Sequence, residues 1–280
     1  MKSISTISKD SVTSLAIGGF DGIHLAHQEL IKRAQALMIV SKYNSNLTPK
    51  EYRCKFVKKP CFFYELDDIK KLGCLEFAKF LKGEFPGLRK IVVGYDFRFG
   101  FNRSCNPEQL KPDFEVEIVD EVVIDSISVH SGVIRDFISR GKLEKAGKLL
   151  GRAYSIEGEV IKGQGIGKKE LVATLNISVC DFLLPQNGVY ATKCNIDEKI
   201  YDSVTFIGVR ESTDGCFSVE THIIDEDIKN IDKKVEIFFY KKIRDNKKFN
   251  SLSELKQQIK QDIKTAKEVL NETLIFQKYK

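Results

Sequence analysis

The sequence predicts two domains: an α/β domain with a parallel sheet, then a small antiparallel β-barrel followed by a C-terminal helix. Near the start of the chain, a short apolar strand pattern leads into a glycine pair and then a helical pattern. Strand and helix patterns alternate up to about residue 150, as in parallel sheets covered by helices. Beyond that point, short strand patterns separated by glycine turns are typical of a barrel.

The first domain is expected to begin with a strand–turn–helix unit. Residues 15–17 form an apolar run that ends at Gly18 and Gly19, and apolar residues at helical spacing from Leu30 to Met38 predict one helix face. A helix over residues 76–82 and a buried strand over residues 90–94 continue the alternation. In open parallel sheets, ligands bind beyond the carboxyl ends of the strands. The glycine pair is therefore expected at a ligand site.

The second half shows a change of pattern after a helical stretch over residues 131–150, which Gly141 interrupts. We therefore place the domains at residues 1–150 and 151–280. Strand patterns follow over residues 155–162, 189–194, 204–209, 218–224 and 235–240. A stripe of apolar residues predicts the final helix, with a capping box at Ser251 and Glu254. The stripe consists of Leu252, Leu255, Ile259, Ile263, Ala266 and Leu270.

Composition is that of a globular protein, with 42% hydrophobic and 30% charged residues and no apolar run of membrane-spanning length. We expect a cytoplasmic protein that binds neither membrane nor nucleic acid. The net charge of +6 arises from interleaved basic and acidic residues, which suits small anionic ligands better than a nucleic-acid groove. The pattern gives no indication of an oligomeric state.

The seven cysteines are scattered singly, without a Cys-x-x-Cys pair. This spacing predicts reduced, unpaired thiols and argues against a disulfide framework or a structural zinc site. The seven are Cys54, Cys61, Cys74, Cys105, Cys180, Cys194 and Cys216.

Two histidines mark the turn after the first strand. His24 and His27 are three residues apart at a helix start, so their side chains share one face. The helix N-terminus attracts anions, and Gly18 and Gly19 allow a phosphate chain to approach the backbone. The pattern predicts a cradle for a triphosphate, with imidazoles donating to oxygens that gain charge during transfer. The alternative is a capped helix with two surface histidines.

Residues 19–28, GFDGIHLAHQ, resemble the G-x-F-D-G-x-H-x-G-H-Q signature of bacterial bifunctional riboflavin kinase/FMN adenylyltransferases. Residues 93–100 (VGYDFRFG) and 131–135 (SGVIR) are similar to the V-G-x-D-F-R-F-G and S-T-x-I-R motifs of that family. The resemblance implies a nucleotidyltransferase domain of Rossmann-like fold with His24 and His27 as catalytic residues. It places Asp96 and Arg98 near the flavin or nucleotide. It implies ATP binding by Gly18, Gly19, Phe20, Asp21, Ser131 and Arg135.

The reaction that the resemblance implies is attack of the FMN phosphate on the α-phosphorus of ATP, which releases pyrophosphate. This step needs no protein nucleophile, because alignment of the reactants, Mg²⁺ and positive donors provide the rate.

The second half is similar to the riboflavin kinase part of the same family. Gly163, Gly165 and Gly167 match its glycine loop, although such a loop taken alone is more often a plain turn. By resemblance, Thr174 and Asn176 hold Mg²⁺ and nucleotide, Glu220 is the general base, and Arg244 lies beside the flavin. Further similarity lies in residues 185–190 (PQNGVY), matching P-x-x-G-V-Y, and 206–210 (FIGVR), matching I-G-x-R.

Several residues within the motifs of the two expected sites differ from the family pattern. Ala26 replaces a glycine, Gly132 replaces a threonine, and no H-P-R segment follows the second strand. In the kinase half, Ile166 stands for arginine, Ala173 for proline and Glu211 for proline. A missing neutral hydrogen bond costs about 0.5–1.5 kcal/mol, so we expect lowered activity rather than none.

Four functions remain open from the sequence. The leading one is a two-step enzyme that phosphorylates riboflavin to FMN and adenylylates FMN to FAD. A second keeps only the adenylyltransferase active, with the barrel as a flavin-binding module. A third is a non-catalytic flavin sensor, and a fourth is a related enzyme acting on another phosphate acceptor, such as a pantetheine or nicotinate phosphate.

Overall fold

The structure is a computed structural model that describes residues 7–42, 45–161, 172–210, 215–226 and 234–278, with side chains up to residue 272. The chain forms two compact units, Met1–Val133 and Ile134–Lys280. No helix in the described part of the chain is both long enough and apolar enough to span a membrane.

The first unit contains a five-stranded parallel sheet in the order β3-β2-β1-β4-β5. Its strands are β1 (Ser14–Gly18), β2 (Ala36–Ser41), β3 (Cys61–Glu65), β4 (Lys90–Gly94) and β5 (Glu115–Val119). The strand order reverses between β1 and β4. The carboxyl ends of these two strands therefore flank the crevice where ligands bind in open sheets.

Helices pack on both faces of this sheet: α1 (Leu25–Arg33), α2 (Leu66–Ile69) and α3 (Cys74–Glu84). Leu15 and Ile17 enter one apolar core and Ala16 enters the other, so β1 is buried on both faces. This double burial explains why β1 is continuously apolar in sequence. A small hairpin of β6 (Val123–Ile124) and β7 (Ile127–Ser128) precedes the fourth helix.

The prediction of a helix from Leu30 to Met38 is wrong beyond its first turn. Helix α1 ends at Arg33, and Ala34 is already extended, with φ −119° and ψ 155°. Leu37 and Met38 lie in β2. Because β2 is buried on both faces, its continuous apolar run supplied matches to the helical spacing by coincidence.

The second half confirms the predicted helices and barrel. Helices α4 (Ser131–Ser139) and α5 (Leu143–Leu150) are separated at Gly141, whose φ is +69°. A closed antiparallel barrel follows in the order β10-β11-β12-β9-β8-β13. Its strands are β8 (Tyr154–Ile161), β9 (Leu175–Ser178), β10 (Gly188–Ile196), β11 (Lys199–Val209), β12 (Phe217–Ile223) and β13 (Lys234–Arg244).

The barrel interior contains a chain of hydroxyl groups. Thr192 bonds Ser203 and Thr205 at 2.8 Å each, and Thr205 bonds Thr221 at 2.9 Å. All four side chains are fully buried. They alternate along their strands with Ala191 and Val204, which pack in the core that includes the last helix. The hydroxyls therefore face the inside of the barrel.

The last helix, α6 (Leu252–Lys278), packs on the barrel through Ala266 and Leu270, which are fully buried. Its N-terminus is capped by Ser251 Oγ, which accepts from Glu254 N at 3.2 Å. The Glu254 carboxylate accepts from the backbone N–H of Asn250 instead of Ser251. The capping box is thus one residue wider than predicted.

The expectation of seven unpaired cysteines is wrong for two of them. Cys74 and Cys105 form a disulfide, with Cα atoms 5.8 Å apart. Cys105 faces Phe99 in an isolated antiparallel bridge, and Cys74 begins α3. The two cysteines are 31 residues apart and meet only through tertiary packing, which spacing along the chain does not reveal.

Candidate active sites

The first candidate site begins where β1 passes into α1. His24 is the N-cap of α1, and its Nδ1 accepts a hydrogen bond from His27 N at 3.3 Å. The two imidazole rings stack at 3.5 Å between centroids. An imidazole that accepts at Nδ1 carries its ring proton on Nε2 when neutral. His24 is therefore fixed in the form that donates from Nε2.

The turn before α1 is shaped by an unusual backbone. Phe20 has φ 49°, Gly22 has φ 94° and Ile23 has φ 41°. Positive φ is costly for residues with side chains, and it persists where packing holds them, as the complete burial of Phe20 and Ile23 does here. Such strained turns cluster at ligand sites. The strained turn lies directly between the carboxyl end of β1 and the N-cap of α1.

Asp21 is buried and holds a neighbouring segment. Its carboxylate accepts from Leu47 N at 3.1 Å and from Thr48 N at 2.9 Å. Thr48 Oγ1 in turn accepts from Gly22 N at 2.7 Å. The guanidinium of Arg53, itself 1% exposed, lies 3.9 Å from Asp21 Oδ1. The Asp21 side chain thus joins the signature turn to the chain that follows β2.

A second motif meets the signature at the same edge. Ser131 Oγ donates to the backbone carbonyl of Asp21 at 2.7 Å, which brings together residues 110 positions apart. Gly132 follows in the first turn of α4, and a Cβ built there would have no atom within 4 Å. Arg135 lies one turn further along the same helix.

The carboxyl end of β4 carries a polar cluster. Asp96 and Arg98 are exposed there, and the Arg98 guanidinium donates to the carbonyl of Phe97 at 2.8 Å. Tyr95 Oη donates to the Glu121 carboxylate at 3.2 Å and lies 2.8 Å from His130 Nε2. His130 Nδ1 is 4.0 Å from Asp96 Oδ2.

Sequence reasoning missed His130. It is one of only four histidines in the chain and directly precedes Ser131. That proximity to a recognised motif is the signal that could have found it. The imidazole of His130 lies 4.0 Å from the carboxylate of Asp96, which belongs to the motif at residues 93–100.

The second candidate site lies on β9 and β12 of the barrel. Glu220 pairs with Asn176 in the ladder between these strands, and Thr174 Oγ1 lies 3.5 Å from Glu220 Oε2. The opposite carboxylate oxygen, Oε1, accepts from Ser218 Oγ at 3.0 Å and from Arg210 Nη1 at 3.1 Å. A cavity of about 330 Å³ lies beside this group, with Asn176, Arg210 and Ser218 in its wall.

The glycine loop of Gly163, Gly165 and Gly167 lies outside the described residues. Arg244 is described and is bound to the last helix. Its Nε donates to Asp262 Oδ1 at 2.9 Å and its Nη2 to Oδ2 at 2.7 Å. Asp262 is 3% exposed, so this is a largely buried, bidentate ion pair. The ion pair ties the Arg244 side chain, at the end of barrel strand β13, to α6.

Comparisons with known proteins agree with the fold. A family profile described as riboflavin kinase matches residues 150–270. A solved structure described as a macrolide-efflux protein from Streptococcus pneumoniae has a TM-score of 0.79 at 24% identity. That match covers 93% of this chain and 97% of the other. At this level of identity, the likeness shows a shared fold only.

Full-length relatives extend the match to the whole chain. A bifunctional riboflavin kinase/FMN adenylyltransferase of Buchnera aphidicola subsp. Schizaphis graminum is 32% identical, covering 94% of this chain and 95% of its own. The protein of the same name from Buchnera aphidicola subsp. Acyrthosiphon pisum is 33% identical, covering 99% and 95%. The one from Escherichia coli is 26% identical, covering 91% of each chain. With its two motif-bearing sites, the chain belongs to the family of bifunctional riboflavin kinase/FMN adenylyltransferases.

Proposed function

We propose that this chain makes FAD from riboflavin in two ATP-dependent steps. The barrel part, residues 151–280, phosphorylates riboflavin to FMN, and residues 1–150 adenylylate FMN with release of pyrophosphate. The observation that carries the proposal is that each part brings dispersed motif residues to one place. Ser131 meets the signature turn at Asp21, and Thr174, Asn176 and Glu220 meet across two strands.

For adenylyl transfer, the groups at the β1 end supply positive donors to the triphosphate of ATP. His24 donates from Nε2, and His27 stacks beside it one turn into the helix. Charge grows on the pyrophosphate leaving group as the bond to the α-phosphorus breaks, so preorganised donors there lower the barrier. Gly18 and Gly19 leave the backbone approachable, and Arg135 adds positive charge. Asp96 and Arg98 flank the crevice from the β4 end.

For phosphoryl transfer, Glu220 is the general base. It takes the proton of the ribityl hydroxyl as that oxygen attacks the γ-phosphorus. Ser218 and Thr174 hold the carboxylate in a fixed orientation. Arg244, whose side chain is held by Asp262, binds the flavin in this proposal.

The residues around Glu220 are also suited to hold a divalent metal ion. The Thr174 hydroxyl and the Asn176 amide are hard oxygen donors beside the Glu220 carboxylate, and Mg²⁺ typically binds one or two protein oxygens together with substrate phosphates. When bound, Mg²⁺ neutralises phosphate charge.

We expect riboflavin phosphorylation and FMN adenylylation to take place in the cytoplasm.

The test supplies purified protein with riboflavin, ATP and Mg²⁺, and follows FMN and FAD by chromatography. Both products should form. FAD from FMN with no FMN from riboflavin would limit the chain to adenylyl transfer, and absence of both products would refute the proposal.

Two variants assign the steps. His27→Ala should abolish FAD synthesis and leave FMN synthesis intact, and Glu220→Gln should do the reverse. Because the surviving activity reports only on the other unit, the folding control for each variant is its thermal unfolding curve compared with that of the unaltered protein.

A further inference from the structure

Arg210 is the cationic side chain of the cavity beside Glu220. It follows the last residue of β11, and its backbone N–H donates to the carbonyl of Cys216 at 2.9 Å. Among the described residues that line this cavity, it alone carries a positive charge. Its side chain is 21% exposed, which leaves it only partly hydrated.

The contact with Glu220 is made by one terminal nitrogen of the guanidinium. Arg210 Nη1 lies 3.1 Å from Glu220 Oε1. A guanidinium has five N–H donors in a planar fork, so it can bind a carboxylate and a phosphoryl oxygen together.

Phosphoryl transfer requires positive donors at the transferred group. Its transition state spreads negative charge over three equatorial oxygens, and arginines commonly stabilise them. Arg244 is bound to Asp262. Arg210, which lies in the wall of the cavity and contacts Glu220, is therefore the arginine that we consider for this role.

We propose that Arg210 is a catalytic residue of the kinase reaction, bridging Glu220 and the γ-phosphoryl group. This rests on the proposed kinase function of the barrel. Glu220 takes the proton of the ribityl hydroxyl, and the hydroxyl oxygen forms a bond to the γ-phosphorus. The bond from that phosphorus to the bridging oxygen breaks, and its electron pair leaves with ADP. Arg210 donates to the equatorial oxygens throughout.

The experiment measures riboflavin phosphorylation and FMN adenylylation separately in four full-length variants. Arg210→Gln removes the charge, Arg210→Lys keeps it without the fork, and Arg210→Ala opens a space for added methylguanidine. Arg140→Gln is the matched control, because it removes an arginine–carboxylate pair (with Asp136, 2.8 Å) on the exposed surface.

We expect Arg210→Gln to lower kcat for riboflavin phosphorylation by about 100- to 1,000-fold, with KM for riboflavin little changed. Arg210→Lys should lose about tenfold, since a point charge replaces the fork. Methylguanidine should restore at least part of the lost kcat in Arg210→Ala. FMN adenylylation should stay unchanged in every variant, as should both activities in Arg140→Gln.

Two results would overturn this role. One is a kcat for Arg210→Gln close to that of the unaltered protein. The other is a loss that neither lysine nor methylguanidine relieves, which would reduce Arg210 to holding Glu220 in place. Failure of the unaltered protein to phosphorylate riboflavin would instead refute the proposed kinase function.

Discussion

Replacing Asp21 with asparagine tests whether the signature aspartate acts by holding structure. In the folded protein, its carboxylate accepts two backbone hydrogen bonds and faces Arg53, with both side chains buried. Hydrogen bonds to a charged group are stronger than neutral ones by about 1 kcal/mol each. Breaking a buried ion pair costs about 3–5 kcal/mol at close range, and less at 3.9 Å. We therefore expect Asp21→Asn to destabilise the first unit by about 3 kcal/mol.

The assay follows FAD synthesis from FMN and FMN synthesis from riboflavin at increasing urea. With a urea dependence of about 1–3 kcal/mol per molar, the adenylylation midpoint should fall by about 1–3 M. The kinase midpoint should not move, since Asp21 lies in the other unit.

Asp67→Asn is the control, because Asp67 is 80% exposed in a surface pair with Lys70. An unchanged adenylylation midpoint together with a raised KM for ATP would refute this reasoning. It would show that Asp21 binds nucleotide directly.

Four further outcomes follow from the structure. Gly132→Thr should raise FAD synthesis up to about tenfold by restoring a hydroxyl, because the position has open space; an unchanged rate would contradict this. Asp262→Ala should lower the urea midpoint of FMN synthesis by the equivalent of about 3 kcal/mol or more, because it leaves the partly buried Arg244 without its bidentate partner. Leu270→Ala should cost about 2–5 kcal/mol in the same assay, and a loss below 1 kcal/mol would disprove tight packing of α6. Burial would raise the pKa of Glu84, but hydrogen bonds from Lys9 and Tyr64 outweigh it and hold the pKa below its ordinary value of 4.5. The ionised form thus stabilises the fold above that pH, and adenylylation at fixed urea should weaken as pH falls below about 4.5, less so in Glu84→Gln.

Local patterns were enough to predict much of the fold. Strand β4 was predicted at its exact bounds, and Gly141 correctly divided α4 from α5. These elements have a period or a break that is visible within a few residues. Strand β9, by contrast, is four residues long and was missed, because so short a segment carries no clear period.

The motifs single out candidate site residues but do not reveal which side chains contact them. The sequence singled out Asp96 and Glu220 through the stretches that contain them. It did not show His130 facing Asp96 or Arg210 binding Glu220, because these partners are 34 and 10 residues apart and meet only after the strands align. The disulfide between Cys74 and Cys105 was missed for the same reason. Contacts that form through tertiary packing cannot be read from the spacing of residues along the chain.

The hydroxyl chain inside the barrel has a consequence for the kinase site. Hydrogen bonds are directional, so Thr192, Thr205 and Thr221 hold β10, β11 and β12 in one alignment more strictly than apolar contacts would. A slip of β12 by one residue would expel Thr221 from the interior and turn Glu220 into it. The interior hydroxyls therefore fix the register of β12 and, with it, the face of the strand on which the Glu220 carboxylate lies.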